Sequence, residues 1–411
     1  MSGGFFRRLR RFLATQYGIG RDPDLRDADA SFRAKYNFFQ ELLESNSELL
    51  KIIADMEAKA HGRELFGMAY VRSQSSRAVF HALRMIRAFE GLSGRPLPVL
   101  GALVERVREE IKGLLSARRE AGGTPFVLPL SAVTAAMVDE VGGKCANLGE
   151  VKNRVGLPVP RGFAVTTAAF RAFFEAAGLP EEIARLKLTL ALDDPGSLAA
   201  VSEDIQHLIL RAEPPPDLAR AIAEAHRDLA AEAGTAPGEL RVAMRSSAIG
   251  EDGELSFAGQ YLSILNVPSE RLLSSYKYVA ASLYTPRAIS YRVLKGIADD
   301  DVAMSVACLE MVASRAAGVM YTRHPLHPDQ DRVIVNAVWG LGPYAVDGVV
   351  NPDAYAVARD GSGRVETRVS DKPVMLVAAD QGTLAERPVP PDLRAVPCLD
   401  PEQAGRLAGY G

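Results

Sequence analysis

Three clusters along the sequence combine glycines, hydroxyls and cations in a way that suits a phosphate-bearing ligand. In the first, Gly142, Gly143 and Lys144 run into Cys145, Ala146, Asn147, Leu148 and Gly149. A glycine pair opening a helix-like segment aims backbone N–H groups at an anion, and the lysine ammonium adds charge. The spacing is not that of a P-loop, and a surface turn with a solvated lysine fits the same residues. In the second cluster Arg245 closes an apolar strand beside Ser246 and Ser247. A guanidinium with neighbouring hydroxyls can clamp phosphoryl oxygens in a fork geometry. Ser256 to Gln260 follow, with Gly259 placed to let a hairpin backbone approach a ligand closely and keep water out; an ordinary hairpin turn is the other reading. In the third, Glu310 ends an apolar strand and leads into Met311 and Val312. A carboxylate beside open backbone groups can read a nucleobase amino group, or simply be a rim charge. A further strand, Gly318 to Thr322, ends at Arg323; His324 and His327, around Pro325, read either as ligands or as plain loop residues.

Positioning these clusters is the task of a 411-residue chain that is 47% hydrophobic and 24% charged, the profile of a folded globular protein of two or three domains. Its 48 basic and 51 acidic residues leave a formal charge of −3, so no net field favours nucleic acid or an anionic membrane and any anion site is local. Cys145, Cys308 and Cys398 stand far apart without a CxxC pair, which argues against a structural zinc site and for a reducing compartment; the expected location is the cytoplasm. The longest uncharged run, Ala121 to Val138, is interrupted by Gly122, Gly123, Pro125 and Pro129, so no transmembrane segment is expected. At the N-terminus Phe5, Phe6, Leu9, Phe12 and Leu13 interleave with Arg7, Arg8, Arg10 and Arg11, a basic amphipathic stretch without a secretory signal's apolar core.

Residues 30 to 120 read as helices, with stripes at Phe32, Tyr36, Phe39 and Leu42, then Leu49, Ile53 and Met56, then Val79, Leu83, Ile86 and Phe89, and finally Leu100, Leu103, Val107, Ile111 and Leu114. Ser45 with Glu48 predicts a capping box ahead of the second stripe. No stripe pairs carboxylate and histidine at metal-site spacing, so the expected product is a helical scaffold. After a linker at Ala121 to Pro129, short strands at 240–249, 257–265, 302–312, 318–322, 333–339, 354–358 and 365–369 alternate with helices near 166–178, 197–234 and 269–296. The texture is that of a mixed α+β region.

In their order, GGKCANLGE, GLPVPRGFAVTT, VAMRSSAIGED, SFAGQYLSILNV, LEMV, GVMYTRHP and VNAVWGLGPYAVDGVVNPD resemble the N-terminal nucleotide-binding domain of the phosphoenolpyruvate synthase (pyruvate, water dikinase) and pyruvate phosphate dikinase family, over about residues 126–411. The resemblance implies an α+β, ATP-grasp-type nucleotide-binding domain over 126–411, preceded by an α-helical N-terminal extension over 1–125. It also implies ATP and Mg2+ as cofactors. Lys144 matches a lysine contacting the ATP phosphates and Arg245 the arginine that binds the transferred phosphates. Gly259 and Ser263 fall on the phosphate-covering loop. Glu310 falls on the position that reads the adenine edge, Met311 and Val312 on the adenine slot, and Arg323 on a recurring arginine of the second half.

The implied activity is transfer of a phosphoryl group from ATP to a histidine of a swivel domain and on to pyruvate, giving phosphoenolpyruvate, AMP and phosphate. Departures limit that expectation. The family's metal-binding glutamate in an EW motif and its Gln-x-Arg motif are not found, so the domain is expected to be truncated at its C-terminal end, the metal ligands are unassigned, and this chain alone is expected to be inactive. The swivel domain and the pyruvate-binding domain are expected in cis in a longer protein or on a partner chain. Cys145 stands where relatives often carry glycine, and Pro343 where they carry the glutamate of GLGE. Two other readings stay open: a phosphotransferase of the same family with a rifamycin, phenol or glucan acceptor, and a non-catalytic nucleotide-binding subunit. Oligomeric state is also open, a homodimer included.

Overall fold

The computed structural model describes residues 23–61, 68–116, 123–191, 194–249, 262–295, 297, 299–327 and 329–411. The basic stretch at 5–13 and the hairpin carrying Gly259 lie outside the described residues. The chain divides into two compact units, Met1–Ala121 with Val293–Ala298, and Gly122–Arg292 with Asp299–Gly411.

The first unit holds the long helices α1 (Pro23–His61), α2 (Met68–Ser93) and α3 (Pro98–Ser116). Gly94, at φ 66°, ends α2 with its N–H on the Glu90 carbonyl, and Pro98 starts α3, as left-handed glycine and N-terminal proline do at helix boundaries. Helix α1 runs unbroken through Ser45, which corrects the capping box expected there. Leu42, Leu43 and Glu44 before it and Glu48, Leu49 and Leu50 shortly after it favour helix, and its fully buried side chain serves the packing of the helix instead of its start. Helices α1 and α2 pack closely, Gly91 leaving room for the Phe38 ring, and their contact is rich in polar groups. Arg84 pairs with Glu41 at 2.7 Å and Glu44 at 2.9 Å and Arg77 with Glu48 at 3.6 Å across the two helices, while Lys59 pairs with Asp55 at 2.6 Å within α1.

The second unit is built on an antiparallel five-stranded sheet in the order β1 (Val127–Pro129), β2 (Gly162–Val165), β5 (Met304–Glu310), β3 (Val242–Ala248), β4 (Ser263–Val267). Val127 to Pro129 thus form an edge strand, where a proline is tolerated, and not the end of a linker. Helix α4 (Val138–Glu150) and α5 (Thr167–Ala176) contact the sheet; α6 (Leu179–Lys187), α7 (Pro195–Arg211), α8 (Pro216–Ala233), α9 (Leu272–Ala281) and α10 (Pro286–Lys295) follow along the chain. The helical stretches expected at 197–234 and 269–296 are each two helices, divided at Pro214–Pro215 and before Pro286, since proline lacks the N–H that would continue the ladder.

A second antiparallel sheet runs β6 (Ala316–Tyr321), β7 (Arg332–Trp339), β8 (Asp353–Ala358), β9 (Val365–Arg368), with α11 (Pro343–Val346) after β7. Val333, Val335, Trp339, Tyr355 and Val357 form its core with Ala404 of α12 (Pro401–Tyr410). A capping box between Asp400 and Gln403 starts that helix. The hairpin β10 (Val374–Ala379) and β11 (Thr383–Pro388) links the sheets. The Asn266 side chain of β4 donates to the carbonyls of Ala379 (2.8 Å) and Thr383 (2.7 Å), while Gly340 after β7 bridges to Leu376.

Candidate functional site

Strand register assembles the first part of the site. Arg245 of β3 lies opposite Ser263 on β4 and Ala307 on β5, and Ser247 lies opposite Ser305. Alternation along the strand puts Arg245 and Ser247 on one face, roughly 7 Å apart by strand rise. Ala164, Ala307 and Leu309 share that face, and α4 packs there through Val141, Cys145 and Ala146. Small side chains on the sheet allow the helix to sit close.

Helix α4 is broken at Gly142, whose φ of 70° and ψ of 164° are not helical. This conformation is essentially reserved for glycine. A Cβ at Gly142 would lie 2.1 Å from the Ser247 carbonyl oxygen and 2.5 Å from its Oγ. Three residues on, the Cys145 N–H donates to Ser247 Oγ at 3.0 Å. The elbow is therefore clipped to the end of β3 at both its sides, and Lys144, half-buried, stands between the two contacts. Burial pushes the Cys145 thiol up to about 12, so it is a packing residue in its neutral form. Glu140, one turn earlier, has its carboxyl raised by burial and by Asp139, and its Oε2 is buried without a hydrogen bond.

Arg245 is the one exposed residue of β3, with Val242, Ala243 and Met244 buried before it and Ser246, Ser247 and Ala248 buried after it. A strand buried on both faces that exposes a single guanidinium has an exception to its pattern, and no packing requirement accounts for it. Among the described residues Arg245 makes no ion pair. Lys144, Arg245 and Ser263 are thus brought to one region by α4, β3 and β4. Gly259, expected with them, lies outside the described residues.

Glu310, Met311 and Val312 sit where β5 leaves the first sheet for the second. Glu310 is opposite Val242, three residues along the ladder from the Arg245–Ala307 pair, or roughly 10 Å, and strand alternation points its side chain to the other face. Its carboxylate is 3.8 Å from Arg161. The Met311 N–H is already used, donating to the Arg241 carbonyl at 2.9 Å; Val312 is exposed, and its carbonyl accepts from Ser314 N–H. Arg323 is exposed two residues beyond β6, at the end of that strand away from Val312, so it does not join either group. His324 Nδ1 accepts from the N–H groups of Leu326 (3.2 Å) and His327 (3.1 Å), and the two rings lie 4.8 Å apart. These bonds make His324 a loop-shaping residue.

Sequence reading missed the Gly142–Ser247 clip, since nothing local links residues a hundred positions apart. It also missed the fully buried pair of Asp353 and Lys372, 2.6 Å apart, in which Asp353 accepts from the N–H groups of Ser370 (2.9 Å) and Cys398 (2.8 Å) as well. The VVNPD run supplied the aspartate as a signal, but nothing near it named the lysine. Among the described residues no group of three His, Cys, Asp or Glu is placed to hold a metal ion, and no helix is long and apolar enough to cross a membrane.

Comparison with known proteins identifies the family. The sequence model of a family described as the pyruvate phosphate dikinase AMP/ATP-binding domain matches residues 138–411. The chain is 42% identical over 254 residues to a protein of Staphylothermus marinus named probable phosphoenolpyruvate synthase, covering 61% of this chain and 30% of that protein. A protein of the same name from Methanocaldococcus jannaschii is 37% identical over 288 residues, covering 70% of this chain and 24% of the relative. The phosphoenolpyruvate synthase of Escherichia coli is 38% identical over 243 residues, 57% of this chain and 30% of that protein. The chain therefore spans about a quarter to a third of the length of these relatives.

Proposed function

Because the chain belongs to the family of the pyruvate phosphate dikinase AMP/ATP-binding domain, we propose that residues 126–411 bind ATP in an ATP-grasp-type arrangement, behind a helical extension at 1–125, and act as the nucleotide-handling part of a phosphoenolpyruvate synthase-like dikinase. The observation that carries the reading is Arg245, the one exposed cation in a buried strand, beside a glycine elbow clipped to the same strand end. Two antiparallel sheets joined at 311–315, with Glu310 at the joint, support a ligand held between them.

In this reading Lys144, Arg245 and the Ser263 hydroxyl hold the triphosphate and spread the charge that develops during transfer. Glu310, Met311 and Val312 meet the adenine, and the Gly259 hairpin covers the phosphates. Phosphoryl transfer asks little covalent chemistry of the protein, so positioning and charge neutralisation are the whole contribution of these residues. Magnesium accompanies the nucleotide: an ion of this kind takes much of its coordination from phosphates and water. The phosphoryl group then passes to a histidine of a swivel domain and on to pyruvate, both outside this chain, for the net conversion of ATP, pyruvate and water to phosphoenolpyruvate, AMP and phosphate. Cytoplasmic location fits that metabolism.

Calorimetric titration of the chain with ATP and magnesium tests the reading. Saturable binding that Arg245→Ala weakens at least about tenfold, the worth of one charge-assisted contact, is the expected result. Binding that is equally tight in the variant refutes the assignment of Arg245.

A further inference from the structure

The open side of α1 is inside out. Its α2-facing side mixes Phe38 and Ile52 with Ser45, Glu48 and Asp55, whereas the side turned away carries Phe32, Tyr36, Phe39, Leu43, Leu50 and Ile53. These six side chains are 44% (Ile53) to 68% (Phe32) exposed. A single exposed leucine calls for no explanation, but a continuous apolar stripe of this length marks an interface.

The spacing of the stripe says what kind. Positions 32, 36, 39, 43, 46, 50 and 53 advance by alternating steps of four and three, which is the 3.5-residue period of a coiled-coil seam over three heptads. Phe32, Phe39, Asn46 and Ile53 fall on d, and Tyr36, Leu43 and Leu50 on a. Asn46 is exposed, at the middle of the stripe. One polar amide in an apolar seam costs stability unless it meets another polar group, so registers that set Asn46 against apolar side chains are penalised.

We propose that α1 pairs with α1 of a second copy of this chain as a parallel, in-register two-stranded coiled coil, with Asn46 facing the Asn46 of the other copy. Charge placement agrees. The flanking e and g positions hold Arg33, Gln40, Ser47 and Ala54, and Lys35, Leu42, Leu49 and Met56. In a parallel pair Lys35 meets Gln40 and Leu49 meets Ala54, so no like charges oppose each other. Of the acids on the helix, Glu41, Glu44, Glu48 and Asp55 are engaged by Arg84, Arg77 and Lys59 within the same unit, and Glu57, at the next a position, bounds the stripe. Half-exposed aromatic and aliphatic side chains offer roughly 80–100 Å² apiece. Two copies then bury on the order of 1,000–1,200 Å², the lower bound of a specific interface.

Sedimentation of the 411-residue chain at micromolar concentration tests the proposal. The expected result is a dimer whose dissociation constant rises at least about 30-fold in Leu43→Glu and in Asn46→Lys, as for loss of an interface anchor. Both positions are exposed in the single chain, so far-UV circular dichroism should stay unchanged and separate lost pairing from lost folding. Asn46→Cys should form an intermolecular disulfide under mild oxidation, since equivalent residues of a parallel pair meet. A monomer at 100 µM (about the upper end of useful affinities), or a dimer indifferent to both substitutions, overturns the seam. A dimer that is sensitive to them but does not crosslink through residue 46 overturns the parallel register.

Discussion

Replacing Gly142 by alanine is the sharpest test of how the elbow in α4 is built. The residue sits at φ 70° and ψ 164°, where a side chain costs about 1–3 kcal/mol. The new methyl would also lie 2.1 Å from the Ser247 carbonyl oxygen. That oxygen belongs to β3, paired with β5 through Ser247 and Ser305, so the obstacle is backbone and cannot swing aside. Overpacking of this sort adds about 1–3 kcal/mol. If the elbow lifts to relieve it, the Cys145 to Ser247 hydrogen bond is lost, worth about 1 kcal/mol. The total is roughly 3–5 kcal/mol, since relief of one penalty incurs another. Gly178 is the matched control: its φ is 60°, but nothing lies within 4 Å of a Cβ there, so Gly178→Ala should cost only about 1–2 kcal/mol. Urea and thermal unfolding, followed by the fluorescence of Trp339, the single tryptophan, and by near-UV circular dichroism, give both numbers. At about 2–4 °C per kcal/mol for a unit of this size the midpoints should fall by about 6–20 °C and 2–8 °C. Equal losses in the two variants would refute the clip between the elbow and β3.

Other consequences follow from buried groups. Lys372→Met should destabilise by about 3–5 kcal/mol at neutral pH, because it leaves the Asp353 carboxylate buried without its ammonium. Burial pushes the Asp353 pKa up, but Lys372 and the Ser370 and Cys398 N–H groups outweigh it and hold the carboxyl below its ordinary value. The stabilisation by ionised Asp353 is therefore complete above about pH 4 and lost as pH falls through the lower folded value, so the variant should show a shallower acid limb in urea unfolding between pH 2 and 7. Burial drives the thiols of Cys145 and Cys398 up to about 12 and that of Cys308 higher still. At pH 8 a disulfide reagent should label none of the three in the native protein and all three after unfolding; rapid native labelling of Cys145 would mean that α4 lifts readily from the sheet. Asn266→Gly keeps the left-handed backbone at φ 59° but removes both donors to the hairpin, so amide exchange in β10 and β11 should speed up by about tenfold or more, and unchanged exchange would show that the side chain does not fasten it.

The legible parts of the molecule were those specified by nearby residues. Arg245 is conspicuous because a cation follows an apolar run and precedes two serines. Ser45 misled because a serine followed by glutamate three residues later is a start signal only if the chain before it is not helical, and here tertiary packing on α2 carries the helix through. Hairpin β10–β11 went unread because Thr383 to Pro388 alternate poorly, and the contact with Asn266 that fastens it lies in no local window. Glu310 was placed correctly at a strand end, but the register that turns its side chain away from the Arg245 face depends on the β3–β5 pairing.

Strand β5 explains why the two groups of candidate residues differ in mechanical character. It is the central strand of its sheet, paired by β2 and β3 and buried from Met304 to Leu309, so Arg245 and Lys144 rest on a rigid neighbour. Beyond Glu310 the chain is held first by Met311 N–H on the Arg241 carbonyl, then by the Arg315 carbonyl, which accepts from Gly340 N–H, while the Arg315 guanidinium lies 5.4 Å from the Trp339 ring centre. Only Val312 and Ala313 stand exposed between these anchors. A segment of two loosely held residues between packed ends is where φ and ψ can change with least disruption. The hairpin fastened by Asn266 forms the second connection between the sheets. Arg245 belongs to the first sheet and Val312 to the joint, so the two groups of candidate residues are fixed by different constraints, the one by strand pairing and the other by the anchors at Met311 and Arg315.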